Sequence, residues 1–324
     1  MKEPASMAVR GAVRAALDDL PDGSSVLAGV SGGADSLALA AALAWVAQRQ
    51  NLRAGAVCVD HGLQAGSAQV AAAAAEVCRG LGLDPVEVVP VEVAGDSREG
   101  PEAAARRVRY QALAASADRH GAAAVLLGHT RDDQAEQVLL GLVRGSGVRS
   151  LAGIPPRRGQ VRRPLLQITR EQTEASCAEL DLTPWRDPHN DDDAFTRVRV
   201  RRALRDLESD LGPGIRDALA RTAEQVRADA DLLDKQADDA ARHLGAPPWS
   251  VGKLTAYPDP IRTRLWRRLL IAAGAPAGQV SSRHTDECDR LVTAWHGQGP
   301  IHVPGGLLVR STGEVVRVER YGVN

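Results

Sequence analysis

The chain has 324 residues, enough for about two domains and a sizeable buried core. Its charge nearly balances, at a formal −1, and arginine supplies almost every cation, since only Lys2, Lys235 and Lys253 are lysines. The four cysteines, Cys58, Cys78, Cys177 and Cys288, lie far apart and form no CxxC pair, which excludes most zinc, iron–sulfur and redox-dithiol motifs. No stretch reaches about 18 apolar residues without charge, so a soluble, cytoplasmic protein with no membrane partner is the expectation.

In chain order, a helical pattern over 8–20 ends at the turn Pro21-Asp22-Gly23. Strands are predicted at 25–30, 53–59, 86–91 and 123–128, with helices at 36–49, 67–81, 101–119 and 132–144. Alternation of this kind implies an α/β fold, a mostly parallel sheet covered by helices on both faces. Ligands of such sheets bind beyond the carboxyl ends of the strands.

The first strand delivers Gly29-Val30-Ser31-Gly32-Gly33-Ala34-Asp35-Ser36 at the start of a helix. Gly32 and Gly33 let an anion approach the main chain, and Ser31, Ser36 and the exposed helix NH groups, Ala34 among them, supply donors. An ordinary glycine turn with a serine cap is the bland alternative. Asp35 argues against it, because a carboxylate beside bound phosphates repels them unless magnesium lies between. The reading is therefore a metal–nucleotide site with Asp35 as a magnesium ligand.

After the second strand comes Val59-Asp60-His61-Gly62-Leu63, either a site segment or a turn satisfying its own backbone. A polar loop over 95–100 precedes Pro101-Glu102, a good helix start, and Glu102, Arg106 and Arg109 share one helical face. The fourth strand leads into Gly128-His129-Thr130-Arg131-Asp132-Asp133-Gln134-Ala135-Glu136-Gln137. Asp132 alone reads as a helix cap, but Asp132, Asp133 and Glu136 together exceed that need, since clustered acids repel unless a cation sits among them.

Farther on, a helix is expected over 169–180, followed by Trp185-Arg186-Asp187-Pro188-His189-Asn190 and by Phe195-Thr196-Arg197-Val198-Arg199-Val200-Arg201. From Gly141 to Arg205 there are thirteen arginines against eight acids, whereas 206–242 carries ten acids against five basic residues. The first stretch suits a polyanion, and Arg197, Arg199 and Arg201 read as nucleic-acid contacts in preference to a solvated surface. His189 reads as structural. A long helix over 215–244, a helix over 260–273 with four arginines, and strands around 301–318 complete the chain.

The Ser31–Ser36 segment resembles the SGGxDS loop of the N-type ATP pyrophosphatases, which cleave ATP between its α and β phosphates. VDHGL, a segment similar to EAAARxxRY at 102–110, GHTRDDQAEQ, RGSG at 144–147, RPLL at 163–166 and the arginine run resemble the tRNA(Ile)-lysidine synthetases. That resemblance implies an adenine nucleotide alpha hydrolase-like fold and ligation of lysine to the wobble cytidine of tRNA(Ile) with a CAU anticodon, through an adenylated base. By the match, Asp133 and Glu136 correspond to residues that recognise lysine and His129 lies at the reaction centre. Asp35, His129 and Asp132 form the expected catalytic group, while Arg106 and Arg109 are candidates for phosphate or carboxylate contacts.

Three departures stand out: Gln64 replaces an arginine, Gln137 a threonine and Val198 an asparagine. The expected division is a catalytic domain over 1–210 and, over 211–324, a linker helix with a tRNA-positioning domain. A homodimer is compatible with the sequence and not decided by it. The rival readings are another ATP pyrophosphatase, such as a tRNA thiolase or an ammonia-using synthetase, and a catalytically silent nucleotide-binding regulator.

Overall fold

The structure, a computed structural model, describes residues 4–62, 66–92, 101–145, 147–187 and 192–321, with Pro101 and Glu102 as backbone only. Gln64, the 95–100 loop, Ser146 and the Pro188-His189-Asn190 segment lie outside the described residues. The chain divides into two compact units, 1–225 and 226–324.

The first unit runs α1 (Ala5–Leu17), β1 (Ser25–Val30), α2 (Ala34–Arg49), β2 (Arg53–Asp60), α3 (Ser67–Gly80), β3 (Val86–Pro90), α4 (Pro101–Arg119) and β4 (Ala122–Leu127). It continues through α5 (Arg131–Val143), α6 (Val148–Leu151), the short strands β5 (Arg157–Arg158) and β6 (Val161–Arg162), α7 (Arg170–Glu179) and α8 (Thr196–Leu211). Helix α9 (Ile215–Leu244) contains the division between the units.

The six strands are ordered β3-β2-β1-β4-β6-β5, all parallel except β5, which pairs antiparallel with β6. The near-continuous apolar runs of β1, β2 and β4 are what burial on both faces demands. Val26, Ala28, Ala56, Cys58, Ala124 and Leu126 pack on one side with α1, α2 and α3, and Leu27, Val57 and Val125 on the other with Leu113 and Ala117 of α4. Cys58 and Cys78, distant in sequence, are both buried in the first of these layers.

From β1 the chain moves to β2 and β3 on one side, then crosses to β4 on the other, so the topological switch lies between the carboxyl ends of β1 and β4. Gly29 is the register partner of Leu127, which places the loops that follow these two strands side by side. The approach is close enough to require glycine at 128, where a Cβ would stand 2.9 Å from the Asp35 carbonyl oxygen.

The second unit holds β7 (Trp249–Ser250), α10 (Val251–Thr255), α11 (Asp259–Ala272), α12 (Ser282–Thr293), β8 (Ile301–Val303), β9 (Leu307–Ser311) and β10 (Val315–Arg320). Its antiparallel sheet, ordered β7-β10-β9-β8, packs one face on α11 and α12. Trp266 is fully buried at its centre, donates to Asp289 at 3.1 Å and meets Trp249 edge to face at 6.2 Å. The arginines of α11 are engaged within this unit: Arg262 grips Asp289, and Arg264 and Arg268 face Asp234.

Among the described residues four α-helices have no counterpart in the sequence expectations, the one-turn α6 and α10 and the longer α8 and α12. In α8 the eye is caught by charge, and the apolar stripe is reduced to residues such as Val198 and Leu204.

Candidate functional site

The switch point opens into a cleft of about 790 Å³, within the range of small-molecule sites. It is lined by the Gly29–Ser36 loop, by Val57, Val59 and His61 after β2, by Arg109 and Leu113 of α4, and by Gly128 and His129 after β4. Helix α7, the segment 182–187 and α8 complete the wall.

The loop is built as an anion cradle. Gly32 has φ +86°, a conformation that strains any other residue, and its carbonyl accepts from the Trp185 amide at 2.9 Å. Ser36 Oγ donates to the Gly33 carbonyl at 2.9 Å and accepts the Ser31 amide at 3.1 Å, which fixes the turn. Gly33 precedes α2 and offers no side-chain cap, so the NH groups of Ala34 and Asp35 remain available to a ligand, while the Ser36 amide donates to the Gly33 carbonyl at 3.1 Å. Val59-Asp60-His61-Gly62 does form a self-satisfying turn, with the Gly62 amide donating to Asp60 at 3.0 Å, yet His61 also lines the cleft.

Beside the loop the acids gather around a cation that the sequence reading did not name. Arg170, at the start of α7, places its guanidinium 3.6 Å from Asp35, 3.4 Å from Asp133 and 3.8 Å from Glu136. Its backbone NH donates to Asp132 at 2.8 Å. The far end of α7 is held as well, because Glu179 accepts the amides of Ala5 and Ser6 at 2.8 and 2.9 Å. Thr173, one turn into α7, donates its hydroxyl to Asp35.

Asp132, expected in the catalytic group, and Asp133 divide the work of fixing two helices. Asp133 closes the start of α5, accepting the Thr130 amide at 2.7 Å, and Asp132 receives α7. Neither lines the cleft, and nor does Glu136, which is 1 % exposed and paired with Arg201 at 2.9 Å. One oxygen of Glu136, Oε2, is buried without a hydrogen-bond partner.

Electrostatics follow from this packing. Burial pushes Asp35 up to about 6 against the pull of Arg170 and Thr173. Burial and the Asp133 charge also raise Glu136, with Arg201 and Arg170 opposing. Asp133 is lowered despite its burial, because Arg170 and the Thr130 amide favour the anion. His129 falls to about 3, chiefly through burial and further through Arg163, Arg106 and Arg109, with Asp133 opposing. It is a neutral imidazole at ordinary pH, and its Nδ1 has no partner.

The expected arginines disperse. Arg109 lines the cleft with its Nε buried and unpartnered, while Arg106 donates to the Tyr110 hydroxyl at 3.2 Å, as Arg163 does at 3.0 Å. Arg201 lines the cleft but faces Glu136. Arg199 turns back to the carbonyls of Asp193 and Ala194 at 2.6 and 3.0 Å, and neither it nor Arg197 lines the cleft. Arg202 and Arg205 do, as does Val198. The signal that finds Arg205 is helical: it lies four residues after Arg201, a relation visible only once 196–211 is read as one amphipathic helix. Among the described residues no group of three or more His, Cys, Asp or Glu side chains forms a metal site.

Comparison with known proteins accords with this geometry. Residues 8–208 match the PP-loop domain family and residues 250–316 the TilS substrate binding domain. The U34-tRNA thiolase NcsA of Methanococcus maripaludis shares the fold, with a TM-score of 0.60 at 22 % identity over 70 % of this chain and 81 % of that one. The tRNA(Ile)-lysidine synthase of Thermobifida fusca is 55 % identical, covering 92 % of each chain, and that of Salinispora tropica 51 % identical, covering 98 % of this chain and 97 % of its own. A PP-loop cradle at the switch point and identity at this level over nearly the whole length place the chain in the tRNA(Ile)-lysidine synthase family.

Proposed function

We propose that the cleft carries out lysidine formation in two steps on one site, with ATP as cosubstrate and tRNA(Ile) bearing a CAU anticodon and L-lysine as the other substrates. The 2-carbonyl oxygen of the wobble cytidine attacks the α-phosphate of ATP, the bond to the β-phosphate breaks, and pyrophosphate leaves. The ε-amine of lysine then adds at C2, loses a proton, and AMP departs. Ser31, Ser36 and the amides of Ala34 and Asp35 hold the leaving pyrophosphate, and Arg109 reaches the phosphates from the opposite wall. His129, whose Nδ1 is without a partner, or a nearby carboxylate takes the proton of the attacking amine. Asp132 supports the site by fixing α7.

A magnesium ion fits Asp35. That carboxylate lines the cleft in the phosphate loop beside Ser31 and Ser36, and magnesium is commonly held by one or two carboxylates and substrate phosphates. Bound there, it would neutralise charge on the leaving group.

The observation that carries the lysine pocket is Glu136 Oε2, a buried acceptor without a donor, next to Asp133 and joined to the phosphate loop through Arg170. In the second unit, Arg310 and Arg317 stand opposite each other on the exposed face of the sheet and are proposed to position the tRNA. The direct test supplies ATP, magnesium, labelled lysine and tRNA(Ile) with a CAU anticodon. Pyrophosphate release dependent on tRNA and label in the tRNA are expected; release without lysine incorporation would assign the cleft to another tRNA adenylation.

A further inference from the structure

Arg170 is anchored through its backbone but held loosely through its charge. The amide bond to Asp132 is 2.8 Å, whereas the guanidinium stands 3.4 to 3.8 Å from Asp35, Asp133 and Glu136. Charge-assisted bonds of a committed pair are about 2.7–2.9 Å. The side chain lines the cleft beside the phosphate loop, so a bound triphosphate brings several anionic oxygens to it. Asp133 and Glu136 meanwhile hold the charge that an ammonium group would need, with Glu136 Oε2 still lacking a donor.

We propose that Arg170 is a positioning residue that couples the two small substrates: it stands in for the lysine ammonium at Asp133 and Glu136 until nucleotide phosphates draw its guanidinium away. This rests on lysine binding at those two carboxylates. Nucleotide then opens the amine pocket, and lysine binds tightly only after ATP. By linkage, lysine tightens nucleotide by the same factor. Arginine suits the role, since its planar fork pairs with carboxylate and phosphate alike.

The test is equilibrium dialysis of labelled lysine against the full chain, with and without magnesium and a non-hydrolysable α,β-methylene ATP, for wild type, Arg170→Gln and Arg170→Lys. Wild-type affinity for lysine should rise about tenfold or more with the analogue, the size of one charge-assisted contact. Arg170→Gln should bind lysine without nucleotide about as well as wild type does with it, and the analogue should add little. Arg170→Lys should retain part of the coupling. The reciprocal titration, nucleotide with and without lysine, should give the same factor in each protein, which a merely structural arginine would not produce.

Equal lysine affinity in wild type with and without analogue overturns the coupling, as does Arg170→Gln losing lysine in both states while still binding nucleotide. A separate arm with Glu136→Gln guards the underlying reading. If that change leaves lysine affinity intact, the pocket is misplaced, whatever Arg170 does.

Discussion

Glu136 carries a buried carboxylate oxygen that the fold does not satisfy, beside a second oxygen bound by Arg201. Leaving such a group unpaired costs about 1–3 kcal/mol, and a ligand that supplies the donor recovers it. Glu136→Gln should therefore raise the lysine requirement roughly 10-fold to 150-fold, the equivalent of ~1.5–3 kcal/mol, while adenylated tRNA still forms. Single-turnover measurement of labelled AMP on tRNA and of lysine incorporation checks this; loss of both steps together would assign Glu136 to the nucleotide. His129 makes a different prediction. Its folded pKa, about 3, lies below the usual value of 6.5, so between those values the unfolded chain binds more protons and stability is lost as pH falls. One such proton gives a slope of at most about 1.4 kcal/mol per pH unit. Asp35, raised to about 6, works in the opposite sense between 3.8 and 6. The signature of His129 is thus the difference from His129→Gln: melting curves of the variant should be less sensitive to acid from about pH 6.5 downward. Parallel curves would refute the buried neutral imidazole.

Helices α7 and α8 show why parts of the site were hidden in the sequence. The phosphate loop was legible because its glycines, serines and Asp35 are contiguous, and the strands because apolar runs such as 122–127 are buried on both faces. The cation among the acids was not, because Arg170 reaches them only through the packing of α7, fixed at its ends by Asp132 and Glu179. In α8 the alternating arginines looked equivalent as a run, but a helix sends neighbours to different faces. Arg199 therefore turns back to the carbonyls before the helix, Arg201 meets Glu136, and Arg205 lines the cleft. Substituting them singly should separate these duties. Arg201→Gln should act on the lysine step. Arg205→Gln should flatten the salt dependence of tRNA binding by up to about 0.7–0.9 in the log–log slope, as for one lost phosphate contact. Arg199→Gln should do neither, and should lower the melting temperature through its lost bonds to the carbonyls. Identical effects on salt slope from all three would return them to one polyanion-binding surface.

At the scale of the whole molecule, arginine serves two purposes that composition alone does not distinguish. Much of it is internal structure: Arg162 is buried against Asp19, Arg262 against Asp289, and the arginines of α11 that invited an RNA reading answer acids of α9 or nearby carbonyls. What remains exposed in the second unit is informative for that reason. Arg310 of β9 and Arg317 of β10 are register partners on the outward face of an antiparallel pair, with the core side chains Val309 and Val316 on the other face. Like charges placed directly opposite destabilise a sheet by roughly 0.2–1 kcal/mol, so their placement favours a function over stability. If the function is contact with tRNA phosphates, the double change Arg310→Gln and Arg317→Gln should weaken tRNA binding and reduce its log–log salt slope by up to about 1.4–1.8, for two contacts. The same protein should melt at a slightly higher temperature than wild type, because the repulsion is gone. Binding of magnesium–ATP, measured in the absence of tRNA, should be unchanged. A variant that gained stability with an unaltered salt slope would show that this face does not meet the RNA backbone, and one that lost stability would show that the two guanidiniums are held by partners within the unit.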